Sequence, residues 1–327
     1  MQEIRNKSCI FAARINGFDI MINRVLIRLK EVQVIYAYYQ NGGQSINSAE
    51  IELARSLDSA YSLYKTLLYI PVALVNMARK SVAKQKRMGA AHISGKEERL
   101  AANIFVSQLE TNSELLQFIG ENDLSWLTDS DWLKDTYAKV LESDEMEEYW
   151  QNECFDFESD KELCRKLYKI FVQENEEFDS LLEEADIYWN GDKELIDSFV
   201  LKTFRSFADG SVADQPLKAE FKDDDDRQFA IDLLHHGIET APAREAVVAA
   251  NCRRWDPSRL AFMDVIIIQV AMAEMLHFPQ IPLKVTVNEY VELAKSLSTP
   301  SSGSFVNGML ETIIKELTTQ GKLNKEL

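Results

Sequence analysis

Glycine and proline are scarce in this chain, 12 and 7 among 327 residues, and that shortage favours helices over turn-rich β architectures. No GxGxxG, GxxxxGK[ST] or GxSxG pattern occurs, which leaves nucleotide binding and serine hydrolase chemistry without support. Four cysteines, Cys9, Cys154, Cys164 and Cys252, are widely scattered with no CxxC pair. They indicate neither a disulfide framework nor a zinc site, and they fit reduced thiols in a cytoplasmic protein. The longest nearly uninterrupted apolar run, Val265 to Leu276, is broken by Gln269 and Glu274 and falls short of the roughly 20 residues a membrane span needs. His235 and His236 are adjacent, as are Glu147 with Glu148 and Glu183 with Glu184. Neighbours on a helix point in different directions, so none of these pairs makes a metal site or an acid–base couple. The expectation is a non-enzymatic protein with no metal or other cofactor.

What the chain does have is apolar content of 46%, that of a folded protein, and a net charge of −17 that is unevenly spread. Residues 1–96 carry 14 Lys+Arg against 6 Asp+Glu, a net of +8. Residues 97–226 carry 12 against 36, a net of −24, and residues 227–327 carry 10 against 11. The acidity therefore belongs to the middle of the chain, and a polyanion can be met by its ends. Residues 1–20 show no helical or signal-like pattern. They are expected to be a disordered arm or a mis-annotated extension ahead of a true start at Met21.

From Asn23 to Gln40, apolar Val25, Leu29, Val32 and Tyr36 cluster on one helical face, which predicts Arg24, Arg28 and Glu31 together on the opposite, solvated face. Two guanidinium groups one turn apart suit successive phosphates or base edges of one strand. Lys30, about 120° round the helix from Arg24, can extend that patch only by its long side chain. At the other end of the chain, IPLKVTVNEYVELAKSLSTPSSGSFVNGML (residues 281–310) predicts two helices. The first opens near Pro282 and places Val287, Val291 and Ala294 on one face. The second is N-capped by Ser304 and carries Phe305, Val306, Met309, Leu310, Ile313 and Leu317 as its apolar stripe.

VTVNEYVELAKS followed by SFVNGML resembles the carboxy-terminal signature of the NusB family of bacterial transcription antitermination factors. RLAFMDVIIIQVAMAEMLH (259–277) is similar to that family's central helix, and NRVLIRLKEVQVIYAYYQ (23–40) to its arginine-rich first helix. The resemblance implies an all-α fold, a NusB-like pair of helical bundles built from residues 21–42 and 222–318, with 319–327 as a tail. It implies binding of boxA-like RNA together with the ribosomal protein NusE, and contact with RNA polymerase through that complex, in ribosomal RNA transcription. Arg24 and Arg28 would touch RNA, with Lys30, Phe305 and Asn307 as further candidates; Phe305 could instead pack in the core and Asn307 brace the turn. Val25, Leu26 and Ser304 stand where the family often has basic residues, so binding is expected to depend on a partner. The competing expectation is a protein–protein adaptor of the same fold with little RNA binding of its own.

Residues 43–221 read as an inserted, mainly acidic helical subdomain. Leu53, Leu57, Tyr61, Tyr64, Leu67 and Leu68 recur at helical spacing after an Asn47 or Ser48 cap, and Pro71 predicts a kink or stop. Arg79, Lys80, Lys84, Lys86 and Arg87 are either a solvated helix end or a second phosphate-contacting patch. Aromatics at Trp126, Trp132, Tyr149, Trp150, Phe155, Phe157, Tyr168, Phe171, Trp189 and Phe199 predict a buried core rather than a solvating tail. The carboxylates around them are either plain solubilising charge or an attraction for a basic partner.

Overall fold

The computed structural model describes residues 20–43, 45–89, 94–152, 154–189, 191–210, 214–239, 261–323 and 325. The expected disordered arm lies outside them except for Ile20, which is 8% exposed and belongs to a strand. The chain divides into two compact units, residues 1–58 with 220–327 and residues 59–219.

The first unit opens with β1 (Ile20–Ile22) and α1 (Arg24–Gln40). Asn23 starts α1 by accepting from the amides of Val25 (3.0 Å) and Leu26 (3.1 Å), two donors with no partner inside the helix. Gly42 and Gly43 end the segment at φ +84° and +65°, a left-handed region open to glycine without steric cost. The expected two-faced pattern of α1 is wrong. Leu26 through Val32 are all buried, Arg28, Lys30 and Glu31 included. Other elements surround most of the helix, so that apart from half-buried Gln33 its exposure is confined to the two ends.

α2 (Ile46–Arg87) starts before the expected Asn47 or Ser48 cap and passes straight through Pro71, which does not stop it. An interior proline costs a helix about 3 kcal/mol. Ile70, Val72, Leu74 and Val75 are buried beside it, and full burial of such side chains contributes about 1.5–3 kcal/mol each.

The second unit continues with α3 (Gly95–Ala101), α4 (Ile104–Glu110), α5 (Ser113–Glu121), α6 (Ser125–Thr128), α7 (Asp131–Glu142), α8 (Asp144–Gln151), α9 (Phe157–Tyr168), α10 (Glu176–Ala185) and α11 (Lys193–Ser206). Polar caps explain why there are so many short helices. Asn103, Asn112, Ser130, Ser143, Asp156 and Asn175 each accept from an amide of the following turn. Acids fill the first turns of α5, α7, α8, α9 and α10, where the helix dipole favours negative charge. Part of the acidity therefore stabilises helix starts from the surface. The aromatic core is built on Phe105, edge-on to Phe157, Phe204 and Phe207 at 5.7, 5.4 and 6.0 Å. Trp150 and Phe155 depart from the expectation at 45% and 67% exposed. Phe155 instead lies 3.7 Å from the guanidinium of Arg99, which bonds the carbonyls of Trp150, Asn152 and Cys154.

The first unit resumes at β2 (Ala219–Phe221), which pairs with β1 in a two-stranded sheet. α12 (Asp224–Glu239), α13 (Phe262–His277), α14 (Leu283–Leu297) and α15 (Ser302–Thr319) follow. α13 is buried from Ile266 to Met275, as expected of a helix that is apolar all round. Its polar residues are bonded: Gln269 donates to the Gly237 carbonyl (2.9 Å) and Asp264 accepts from Ser302 (2.9 Å). α15 begins at Ser302, not after a Ser304 cap, because the Ser302 hydroxyl accepts from the Thr299 amide (3.1 Å) and reaches Asp264. Ser304 is exposed in its first turn. Past α15, Leu323 is buried and the Lys325 ammonium donates to the carbonyls of Phe278 (2.6 Å) and Ile281 (3.1 Å).

Candidate nucleic-acid interface

The two arginines of α1 have different fates. Arg28 is 3% exposed and forms a forked pair with Glu274 of α13, Nε to Oε2 at 2.6 Å and Nη2 to Oε1 at 3.0 Å. Thr286 (2.8 Å) and Tyr290 (3.3 Å) of α14 donate to the same carboxylate. Burial opposes the charge on Arg28, but the Glu274 carboxylate and its hydrogen bonds outweigh it and raise the guanidinium pKa. Burial, reinforced by Glu274, also pushes the Tyr290 hydroxyl well above its ordinary value. The expected surface placement of Arg28 is thus overturned. Its third nitrogen, Nη1, donates to the backbone carbonyl of Arg24 at 3.2 Å, so it braces the turn that carries Arg24.

Arg24 stays at the surface with 35% of its side chain exposed. Its Nε donates to Asp226 at 2.8 Å and its guanidinium lies 4.8 Å from the Phe229 ring centre, both on α12. Arg28 approaches that same ring at 5.7 Å. The Asp226 bond uses only Nε, and the Nη1 and Nη2 edge makes no hydrogen bond among the described residues. A guanidinium oriented by a carboxylate and an aromatic ring, with one edge open, can accept a phosphate or base acceptor with little loss of side-chain freedom.

The remaining expected contacts separate. Lys30 is 2% exposed and cannot extend a surface patch. Glu31, expected on the solvated face, is fully buried with neither carboxylate oxygen hydrogen-bonded; burial pushes its pKa well up, towards the neutral acid. Phe305 is half-buried in the first turn of α15. Asn307 is half-buried too and donates to Glu311 one turn on (3.0 Å) rather than bracing the Ser298–Ser302 turn. Sequence reasoning passed over Lys295, within the quoted VELAKS segment. Gly303 leaves room for its stem, since a Cβ there would lie 2.6 Å from Lys295 Cγ, and this sets a 41%-exposed cation, paired with Glu292 at 2.7 Å, beside the start of α15. Elsewhere in the unit, His235 pairs with Glu50 and His236 stacks on His277 at 3.8 Å. Among the described residues no group of His, Cys, Asp and Glu could hold a metal, and no helix is long and apolar enough to cross a membrane.

Comparison with known proteins assigns residues 200–315 to the NusB family. A stretch of 104 residues, 32% of this chain, is 36% identical to a transcription antitermination protein NusB from Salinibacter ruber and covers 65% of it. A stretch of 99 residues, 30% of the chain, is 32% identical to the protein of that name from Chloroherpeton thalassium and covers 47% of it. A third, from Koribacter versatilis, is 35% identical over 106 residues, 32% of the chain and 73% of the relative. The chain thus spans less than two thirds of the first two relatives. No solved structure matches. The family range begins ahead of the expected boundary at residue 222; it includes Lys295, Phe305 and Asn307 and leaves out α1 with Arg24, Arg28 and Lys30.

Proposed function

Because this chain belongs to the NusB family, we propose that it is a non-enzymatic transcription antitermination factor that binds boxA-like RNA together with NusE and reaches RNA polymerase through that complex, in ribosomal RNA transcription. The observation that carries the RNA contact is the oriented, open-edged guanidinium of Arg24. Arg28 positions it through the Arg24 carbonyl, and Lys295, Phe305 and Asn307 are secondary contacts. Lys30 does not take part in binding.

The test is binding of fluorescent boxA-like RNA to the full chain with NusE. Arg24→Ala removes one charge-assisted contact and should weaken binding by about 1–3 kcal/mol, roughly 5- to 150-fold. Arg28→Met/Glu274→Met, which removes both buried charges and with them the bond to the Arg24 carbonyl, should weaken binding by less than Arg24→Ala, because the Arg24 guanidinium itself remains. Equal affinity of Arg24→Ala and unaltered chain across low to moderate salt would sink the proposal. A second reading, a protein–protein adaptor of NusB fold, draws on the burial of Arg28 and Lys30, which leaves α1 with a smaller basic surface than its sequence suggests. Stable binding of NusE with no RNA binding would favour it.

A further inference from the structure

The inserted unit carries 31 Asp+Glu against 18 Lys+Arg, yet the stretch from residue 59 to 96 has seven Lys+Arg and no acid at all. Five of the seven are Arg79, Lys80, Lys84, Lys86 and Arg87, and the structure sorts them. Arg79 is consumed internally, by the Ala101 carbonyl (3.1 Å), Ser107 (3.0 Å) and Glu110 (2.5 Å). Lys86 faces α3 and pairs with Glu98 at 3.4 Å. Lys80, Lys84 and Arg87 are exposed, opposite the buried Val75, Ala78 and Val82. Their spacing of four and three residues puts them within about 60° of one another and strings them over about 10 Å.

None of the three has a carboxylate partner among the described residues; Arg87 bonds only the Ala83 carbonyl. The neighbouring acids point elsewhere, Glu97 to Gln85 and Tyr137, Glu98 to Lys86. The negative end of the helix dipole accounts for cations in the last turn, but Lys80 lies two turns from the end, beyond that effect. Three exposed cations without carboxylate partners along one edge of a unit with a large surplus of carboxylates are an arrangement that fits a regular row of external anions.

We infer that Lys80, Lys84 and Arg87 form a binding strip for the phosphate backbone of single-stranded RNA, separate from Arg24 and indifferent to base sequence. The inference rests on the RNA reading of the protein. A helical turn sets successive cations about 6 Å apart, close to the step between phosphates of an extended strand, and phosphate contacts of this kind supply affinity without reading bases. The occupant is committed by charge: a flexible polyanion matches a straight row of exposed cations, while an acidic protein would also meet the carboxylates that dominate the rest of the unit.

The experiment measures binding of a polyuridine oligonucleotide to the full chain as a function of salt. Each phosphate contact on a single strand contributes about 0.7 to the slope of log affinity against log salt, so Lys80→Gln/Lys84→Gln/Arg87→Gln should lower that slope by about 2. Gln keeps helix propensity close to that of Lys and Arg, and circular dichroism should be unchanged. Lys134→Gln/Lys139→Gln/Lys166→Gln removes three exposed cations that already have acid partners and should leave the slope alone. Equal losses in both triple variants, an unchanged slope in the first, or polyglutamate binding as strongly as polyuridine overturns the strip. Arg24→Ala is measured in parallel on boxA-like RNA with NusE. If it loses affinity while the strip variant keeps its slope, only the strip fails; if the unaltered chain binds neither RNA, both readings fail.

Discussion

Replacing Glu274 with glutamine keeps the shape of a fully buried side chain and removes one of two paired charges. Arg28, at 3% exposure, then holds a positive charge with no counter-charge bonded to it. Thr286 donates to one carboxylate oxygen and Tyr290 to the other, and glutamine keeps only one oxygen, so one of the two hydroxyls and one guanidinium N–H face an NH2 group and add to the loss from the uncompensated guanidinium. Removing one partner of a buried ion pair costs about 3–5 kcal/mol. At 1.36 kcal/mol per decade, amide exchange in α14 and α15 should accelerate roughly 150- to 5,000-fold. Native-state hydrogen exchange read by mass spectrometry on peptides from these helices is the suitable assay, because a chain of two units need not unfold in one step. Arg28→Met/Glu274→Met removes both charges together and should recover most of the protection, since apolar replacement of a buried pair is often neutral or better. Exchange within tenfold of the unaltered chain in Glu274→Gln would refute the reasoning, as would a double variant no better protected than the single one.

Burial lifts the Asp197 carboxyl from the usual 3.8 to about 6, against the pull of Lys193 and Tyr168. The folded unit therefore holds a proton that the unfolded chain has released, and this group's contribution to stability falls as pH rises from about 4 to about 6, by up to about 3 kcal/mol. The difference in urea midpoint between Asp197→Asn and the unaltered chain should shift in favour of the variant over that window, and a constant difference would contradict it. Gly237→Ala would place a Cβ 2.5 Å from Ile35 Cδ1. Crowding of about 1–3 kcal/mol outweighs the roughly 1 kcal/mol helix gain, and Ile35→Val should relieve part of the loss; additive effects in hydrogen exchange would count against the close approach. Lys325→Ala deletes two charge-assisted bonds, to Phe278 and Ile281, and should speed exchange in residues 278–282 by roughly tenfold or more, with no change in that loop as the contrary result.

The helices were legible where local chemistry made them. Caps and apolar periodicity located α14 and most of α15, and the aromatic content of the middle of the chain marked a packed core. What escaped depended on partners distant in sequence. Arg28 and Glu31 read as solvated because a helical wheel presumes one wet face, while α1 is enclosed by elements from the other end of the chain. The acid that claims Arg28 lies 246 residues away and leaves no trace in the pattern around residue 28. Ser302 displaced Ser304 for a similar reason, through its bond to Asp264. Pro71 does not stop the helix, the stronger of the two expectations, because an interior proline is disfavoured by local terms that the buried residues around it offset.

The distance between Arg28 and Glu274 also governs how the protein is made. At roughly 5–20 residues per second, α1 leaves the ribosome about ten to fifty seconds before its counter-charge exists. During that interval the whole inserted unit, residues 59–219, emerges and can close on itself. The amino-terminal helix meanwhile waits with Leu26, Ile27 and Ile35 uncovered, and its Arg28, Lys30 and Glu31 keep it hydrated. Until α13 is made, the charges that later enter the core lie on a helix whose covering elements do not yet exist.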